Sequence, residues 1–179
     1  MVVDRTGEEW TPRTIAAPGG HTRALPRPAN TRRESGARST IRPWPRPPAS
    51  SRSPRVKAHA SDLNSRGAGL DASLKGFDIP VLLNERGRVA EGPGQNIFLV
   101  RKGRLITPRI TDAILAGITR ATLIGIGAEQ GLAVEEREVG PTELHVAEEP
   151  FFAVTALEAQ PIADVDGSQV GEGALRPDP

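Results

Sequence analysis

The chain has 179 residues and a formal net charge of +1, with 37% hydrophobic residues, 3% aromatics and no cysteine. This composition excludes a disulfide framework, a thiolate nucleophile and a cysteine-based metal site. No apolar run approaches the ~20 residues of a membrane-spanning helix, and the N-terminus lacks the apolar core of a signal peptide, so no membrane partner and a cytoplasmic location are expected. His21, His59 and His145 are scattered without metal-ligand spacing. Scarce aromatics argue against a stacking platform for single-stranded nucleic acid.

The small net charge hides an asymmetry. Residues 1–56 contain eleven arginines, no lysine and four acids (Asp4, Glu8, Glu9, Glu34), which gives +7 and leaves −6 on the remainder. The same stretch holds nine prolines, among them Pro43, Pro45, Pro47 and Pro48. Its apolar positions are too few and too aperiodic to offset the entropy of ordering, and proline removes backbone donors. Residues 1–43 are therefore expected to be a disordered or aberrant Arg/Pro-rich segment, the latter if a wrong reading frame through GC-rich DNA wrote it. Its arginines are spread singly among prolines rather than clustered on a helix face, so no nucleic-acid partner is expected.

From Asp78 the texture changes. Ile79–Asn84 is a short apolar run closed by Glu85-Arg86-Gly87-Arg88, a strand and a turn. Val89-Ala90 leads into a Gly-rich turn, and Asn96–Val100 is the next strand. Lys102-Gly103 makes a tight hairpin into Arg104–Thr107, which Pro108 ends. Ile118, Ala121, Ile124 and Ala128 recur at helical spacing, with Gly131 as the C-terminal stop. Gly125 and Gly127 weaken that helix unless something packs closely against it. Leu132–Val139 reads as a strand and Pro141–Ala147 as a short helix with proline early. Pro150–Thr155 and Gln160–Asp166 read as strands, the second ending at Asp166-Gly167. Strands and helices mix without a strict βαβ repeat.

Lys57, followed about thirty residues later by Glu91 in the turn Glu91-Gly92-Pro93-Gly94-Gln95-Asn96, carries the chemical signal. Pyridoxal phosphate chemistry needs an amine that forms a Schiff base and an anion that keeps the pyridine nitrogen protonated. Taken singly, Lys57 reads as an ordinary solvated lysine and Glu91 is better read as a surface residue on a turn. In order, however, come Arg-Val-Lys57-Ala, Asp-Leu-Asn-Ser, Leu-Leu-Asn-Glu-Arg-Gly, Val-Ala-Glu91-Gly-Pro-Gly-Gln-Asn-Ile-Phe, Leu-Ile-Thr-Pro, Gly117-Ile-Thr-Arg120 and Phe-Phe-Ala-Val-Thr155-Ala-Leu-Glu. This series resembles the class IV pyridoxal-phosphate aminotransferases, most closely their branched-chain amino-acid branch, over residues 44–173.

The resemblance implies an α+β fold with a mixed sheet or pseudo-barrel and packed helices, preceded by the basic segment and followed by a tail at 174–179. It implies pyridoxal 5′-phosphate as cofactor, with Lys57 forming the Schiff base and moving the proton between substrate Cα and cofactor C4′. Glu91 would partner the pyridine nitrogen. Gly117, Ile118 and Thr119 would receive the phosphate at a helix N-terminus, where free N–H groups favour an anion, with help from Thr155. The backbone of Thr155-Ala156 would face the substrate carboxylate. The partners implied are an amino acid, a 2-oxo acid and a second copy of the chain in a homodimer.

Several positions depart from the family pattern. Asp62 stands where the family has a tyrosine that bonds the cofactor's 3-oxygen, Gln95 replaces a usual glutamate, and Val154 and Leu157 add bulk in place of a glycine and an alanine. Arg66–Asp71, with Gly67 and Gly69, breaks the expected helical pattern. The family's N-terminal domain, which supplies a phosphate-binding arginine, part of the substrate pocket and much of the dimer interface, finds no match in 1–43. None of the arginines there is assigned that role. The function implied is amino transfer between a branched-chain amino acid and a 2-oxo acid, impaired where that domain is missing. The alternatives are an amine transaminase, an aminodeoxychorismate-lyase-like enzyme, or a non-catalytic interaction module.

Overall fold

A computed structural model of the protein describes residues 2–5, 18–21, 35–48, 50–51, 53–54 and 59–171. The described elements are β1 (Val2–Arg5), β2 (Pro18–His21), β3 (Ala37–Pro45), α1 (His59–Leu74), β4 (Ile79–Leu83), β5 (Val89–Glu91), β6 (Asn96–Arg101) and β7 (Arg104–Thr107). They continue with α2 (Ile118–Glu129), β8 (Ala133–Glu136), a 3-10 turn (Pro141–Val146), β9 (Glu149–Val154), β10 (Glu158–Val165) and β11 (Ser168–Gln169). β1 and β2 pair antiparallel, and the other strands form one mixed sheet ordered β5-β4-β3-β10-β9-β6-β7-β8, with β11 on β10.

Local turn chemistry sets much of this order. Lys102 (φ 51°) and Gly103 (φ 68°) both take the left-handed conformation that a two-residue hairpin needs, and they bring β6 and β7 together antiparallel. Asp166 (φ 53°) and Gly167 (φ 84°) do the same between β10 and β11. The sheet then curls. The Val89 N–H donates to the Val139 carbonyl at 2.9 Å, which ties edge strand β5 to the segment that follows β8.

Alternation along β6 divides the packing into two layers, because successive strand residues face opposite sides. Ile97 and Leu99 join Val81, Val89, Phe152 and Ile162 in the main core. Phe98 faces the other way with Leu105 and Ala153, where Leu123 and Ile124 of α2 cover them. Phe98 stacks on Phe151 with ring centroids 5.4 Å apart.

Three expectations are corrected. The segment expected to be disordered or aberrant does not extend to residue 43, since β3 begins at Ala37 and sits inside the sheet, parallel to both β4 and β10. Small residues Ala37, Ser39 and Thr40 are fully buried there, so flanking strands supply the order that the local composition does not.

The helical pattern expected to fail at 66–71 is continuous in α1. Gly67 has a packing reason, since a Cβ there would come within 3.0 Å of the Trp44 ring, whereas one at Gly69 would meet nothing within 4 Å.

The helix expected from the spacing of Ile118, Ala121, Ile124 and Ala128 is present as α2, with Ile118 83% exposed and Ala121 and Ala128 exposed too. The sheet-facing side holds Leu123, Ile124 and Gly127, and a Cβ at Gly127 would lie 3.1 Å from Val134. Finally, β8 spans Ala133–Glu136 rather than Leu132–Val139.

Candidate active site

Glu91 ends β5 with a carboxylate only 3% exposed, and its partners arrive from three other parts of the chain. Arg46, 7% exposed just after β3, brings Nη2 to 2.6 Å from Oε1. Asn96 Nδ2, at the start of β6, donates to Oε2 at 2.9 Å, and the Leu115 N–H donates to the same oxygen at 3.1 Å. Burial is the largest influence on the carboxyl and pushes it up to about 7, opposed by Arg46, then the Leu115 N–H, then Arg120. Among the described residues Oε1 takes one donor, which leaves acceptor capacity for a further N–H.

The loop from Arg109 to Gly117 connects this carboxylate to α2. Asp112 is fully buried and accepts from the Arg109 N–H at 3.0 Å and from Arg86 Nη2 at 2.6 Å. Ala113 is held at φ 63°, an uncommon conformation for a residue with a Cβ, and its carbonyl accepts from Arg46 Nε at 3.2 Å. Asn96 Nδ2 also donates to the Leu115 carbonyl at 2.9 Å.

Beyond Leu115 the chain enters α2 with Gly117 as N-cap, where no side chain caps the helix. The first N–H groups of a helix lack internal partners, so they and the helix dipole face whatever lies ahead. Gly117 leaves no room for a larger residue, since a Cβ would lie 2.1 Å from Asn96 Oδ1. Arg120, 3% exposed, anchors the helix start from below through the Pro108 carbonyl (2.9 Å) and Glu136 (2.6 Å).

A cleft of about 270 Å³ opens at this helix end, lined by Asn96, Leu115, Gly117, Ile118, Thr119 and Thr155 among others. The Thr119 and Thr155 hydroxyls lie 3.0 Å apart across it, one from α2 and one from the end of β9. Val154 also lines it, where the family pattern has a glycine. Ala156 is exposed in the turn that follows.

The structure thus gathers Gly117, Ile118, Thr119 and Thr155 around one cleft. Asn96, in its wall, bonds Glu91 directly behind it. Lys57 lies outside the described residues, as does the side chain of Asp62.

Three residues of this arrangement were missed from sequence. Asn96 and Leu115 sit beside recognised motifs, and a polar residue opening an apolar strand was an available signal for Asn96. Arg46 is one of eleven arginines in a proline-rich stretch, and nothing local separates it from the others.

A pyridine ring carrying a phosphate requires an anion for its nitrogen at one end and an anion site at the other. Buried Glu91 with spare acceptor capacity, and an uncapped helix N-terminus with two facing hydroxyls, fit those two requirements.

The family model for amino-transferase class IV matches residues 2–165, and the chain belongs to this family. The match begins well before residue 44, where the sequence motifs placed the resemblance. Class IV aminotransferases use pyridoxal phosphate. The chain is 38% identical over 143 residues to the probable branched-chain-amino-acid aminotransferase of Aquifex aeolicus, covering 79% of this chain and 46% of that protein.

Among solved structures, the branched-chain aminotransferase of Thermoproteus uzoniensis with norvaline superposes with a TM-score of 0.79 at 38% identity, covering 83% of this chain and 50% of that one. The branched-chain amino acid aminotransferase of Thermobaculum terrenum in its PLP form gives 0.79 at 41% identity, covering 83% and 49%. The chain therefore spans about half the length of the relatives it matches. Among the described residues no helix is long and apolar enough to cross a membrane.

Proposed function

We propose that this chain carries the cofactor-binding part of a pyridoxal-phosphate-dependent aminotransferase that moves an amino group between a branched-chain amino acid and a 2-oxo acid. The observation that carries this reading is the buried Glu91–Arg46 pair set behind a cleft that opens on the α2 N-terminus. When bound, pyridoxal phosphate supplies a carbonyl that carries the amino group and a cationic ring that withdraws electrons.

The chain's own residues hold, orient and move protons. Glu91 holds a proton on the ring nitrogen, in surroundings dry enough for that contact to be strong. The N–H groups at Ile118 and Thr119, with the Thr119 and Thr155 hydroxyls, bind the phosphate and fix the ring's position. Lys57 would anchor the cofactor covalently and, once the substrate amine displaces it, its free Nζ would carry the proton from the substrate Cα to the cofactor C4′. The backbone at Thr155-Ala156 receives the substrate carboxylate. A homodimer, a cytoplasmic location and a cofactor-binding domain over residues 44–173 belong to the same reading.

One observation favours a second reading. Val154 fills part of the cleft where the family pattern has glycine, which reduces the space for a substrate and favours a non-catalytic module. Adding pyridoxal phosphate to the purified chain, reducing with borohydride and mapping peptides separates the two. A pyridoxyl label on Lys57, followed by turnover of a branched-chain donor, is the expected outcome. Label scattered over Lys75 and Lys102 would sink the aminotransferase reading.

A further inference from the structure

Arg46 makes two contacts that point in different directions. Its Nη2 lies 2.6 Å from Glu91 Oε1, and its Nε donates at 3.2 Å to the carbonyl of Ala113. Ala113 is the left-handed residue of the loop that runs through Leu115 to the N-cap Gly117. The Leu115 N–H in turn returns to Glu91 Oε2, so guanidinium, carboxylate and loop form a closed ring of hydrogen bonds.

We propose that Arg46 is a positioning residue that couples the two ends of the cofactor site, pairing with the Glu91 carboxylate while it fixes the loop that delivers the α2 N-terminus. A planar guanidinium can serve both contacts at once because its donors lie in a fixed fork, which a lysine ammonium cannot reproduce. Left-handed φ at a residue with a Cβ costs of the order of 1 kcal/mol or more and persists only where the surroundings impose it. Arg46 on the carbonyl and Asp112 on the preceding turn impose it here.

Among the described residues, the charged groups that face Glu91 are Arg46 and, from α2, Arg120. Arg120 is committed to Pro108 and Glu136. Arg46 is therefore the cation that opposes the effect of burial at close range. The role rests on the cofactor reading for its purpose, but the contacts can be tested without cofactor.

The experiment uses cofactor-free protein labelled with carboxyl-13C glutamate, with Glu91→Gln to assign the resonance. Glu91 should titrate near 7 in the native chain. Arg46→Gln should move the titration further up, and Arg46→Lys should leave it within about one pH unit of native, since the charge is kept.

Amide hydrogen exchange at Leu115 and Gly117 should quicken about tenfold in both variants, as expected for losing one buried hydrogen bond. The Lys variant keeps the test usable if the Gln variant does not fold. An unchanged Glu91 titration in Arg46→Gln, or unchanged exchange at Leu115 in Arg46→Lys, would overturn the proposal. Failure of pyridoxal phosphate to label Lys57 would leave these readouts intact and count against the aminotransferase reading alone.

Discussion

The two ends of the candidate site are built on opposite principles. At the Glu91 end, a buried carboxylate is surrounded by partners drawn from β3, β6 and the loop before α2, far apart in sequence. At the α2 end, the proposed phosphate site is made of consecutive residues Gly117, Ile118 and Thr119, with one hydroxyl added from Thr155. One end depends on tertiary assembly and low dielectric, whereas the other depends on how a helix begins. Charge in a buried site must be paired to survive, so removing one partner at the first end is costly, while at the second the Thr119 and Thr155 hydroxyls bond each other beside the cleft.

Mutations can break this contrast. Glu91→Ala leaves the Arg46 guanidinium buried without its anion and should destabilise the chain by about 3–5 kcal/mol. A urea midpoint shift smaller than 1 kcal/mol would show that water reaches Arg46 and that the pair is not dry. Gly117→Ala joins the two ends, because the added Cβ would strike Asn96 Oδ1, whose amide also holds Glu91 and Leu115. Its backbone (φ −71°, ψ 142°) suits alanine, so the expected cost of about 1–3 kcal/mol is steric alone. Double-mutant coupling with Asn96→Ala measures it, and additive effects would refute the contact.

Thr155→Val is the smallest of the three. The residue is exposed, so thermal stability should change by less than about 0.5 kcal/mol. Affinity for pyridoxal 5′-phosphate should fall about tenfold while affinity for phosphate-free pyridoxal stays constant. Equal losses for both ligands would move Thr155 away from the phosphate.

A pH profile of stability sharpens the comparison further. The Glu91 carboxyl is raised above its ordinary value of 4.5, so the folded chain binds a proton that the unfolded chain releases. Its contribution is fully present below about 4.5 and is lost as pH rises through about 7, on the order of 1 kcal/mol per pH unit between. Glu91→Gln should abolish that slope, as followed by urea unfolding at pH 5 and pH 7.

Much of the fold was legible in the sequence because it rests on local rules, and half of the candidate site because its motifs stand in the order of the family the chain resembles. The Lys102-Gly103 and Asp166-Gly167 turns announce themselves through residues that tolerate positive φ, and the apolar runs beside them can only be strands. Gly117-Ile118-Thr119 stands at the start of α2, and the resemblance to class IV aminotransferases is what pointed to it for the phosphate. Tertiary structure alone decided the rest. Strand β3 is ordered by β4 and β10 rather than by its own proline-rich composition. Gly67 reads as a helix breaker until the Trp44 ring is laid against it. Arg46 is indistinguishable from ten neighbouring arginines until the fold buries it beside Glu91, because burial and the pairing it demands are properties of the assembled sheet, not of any local run of residues.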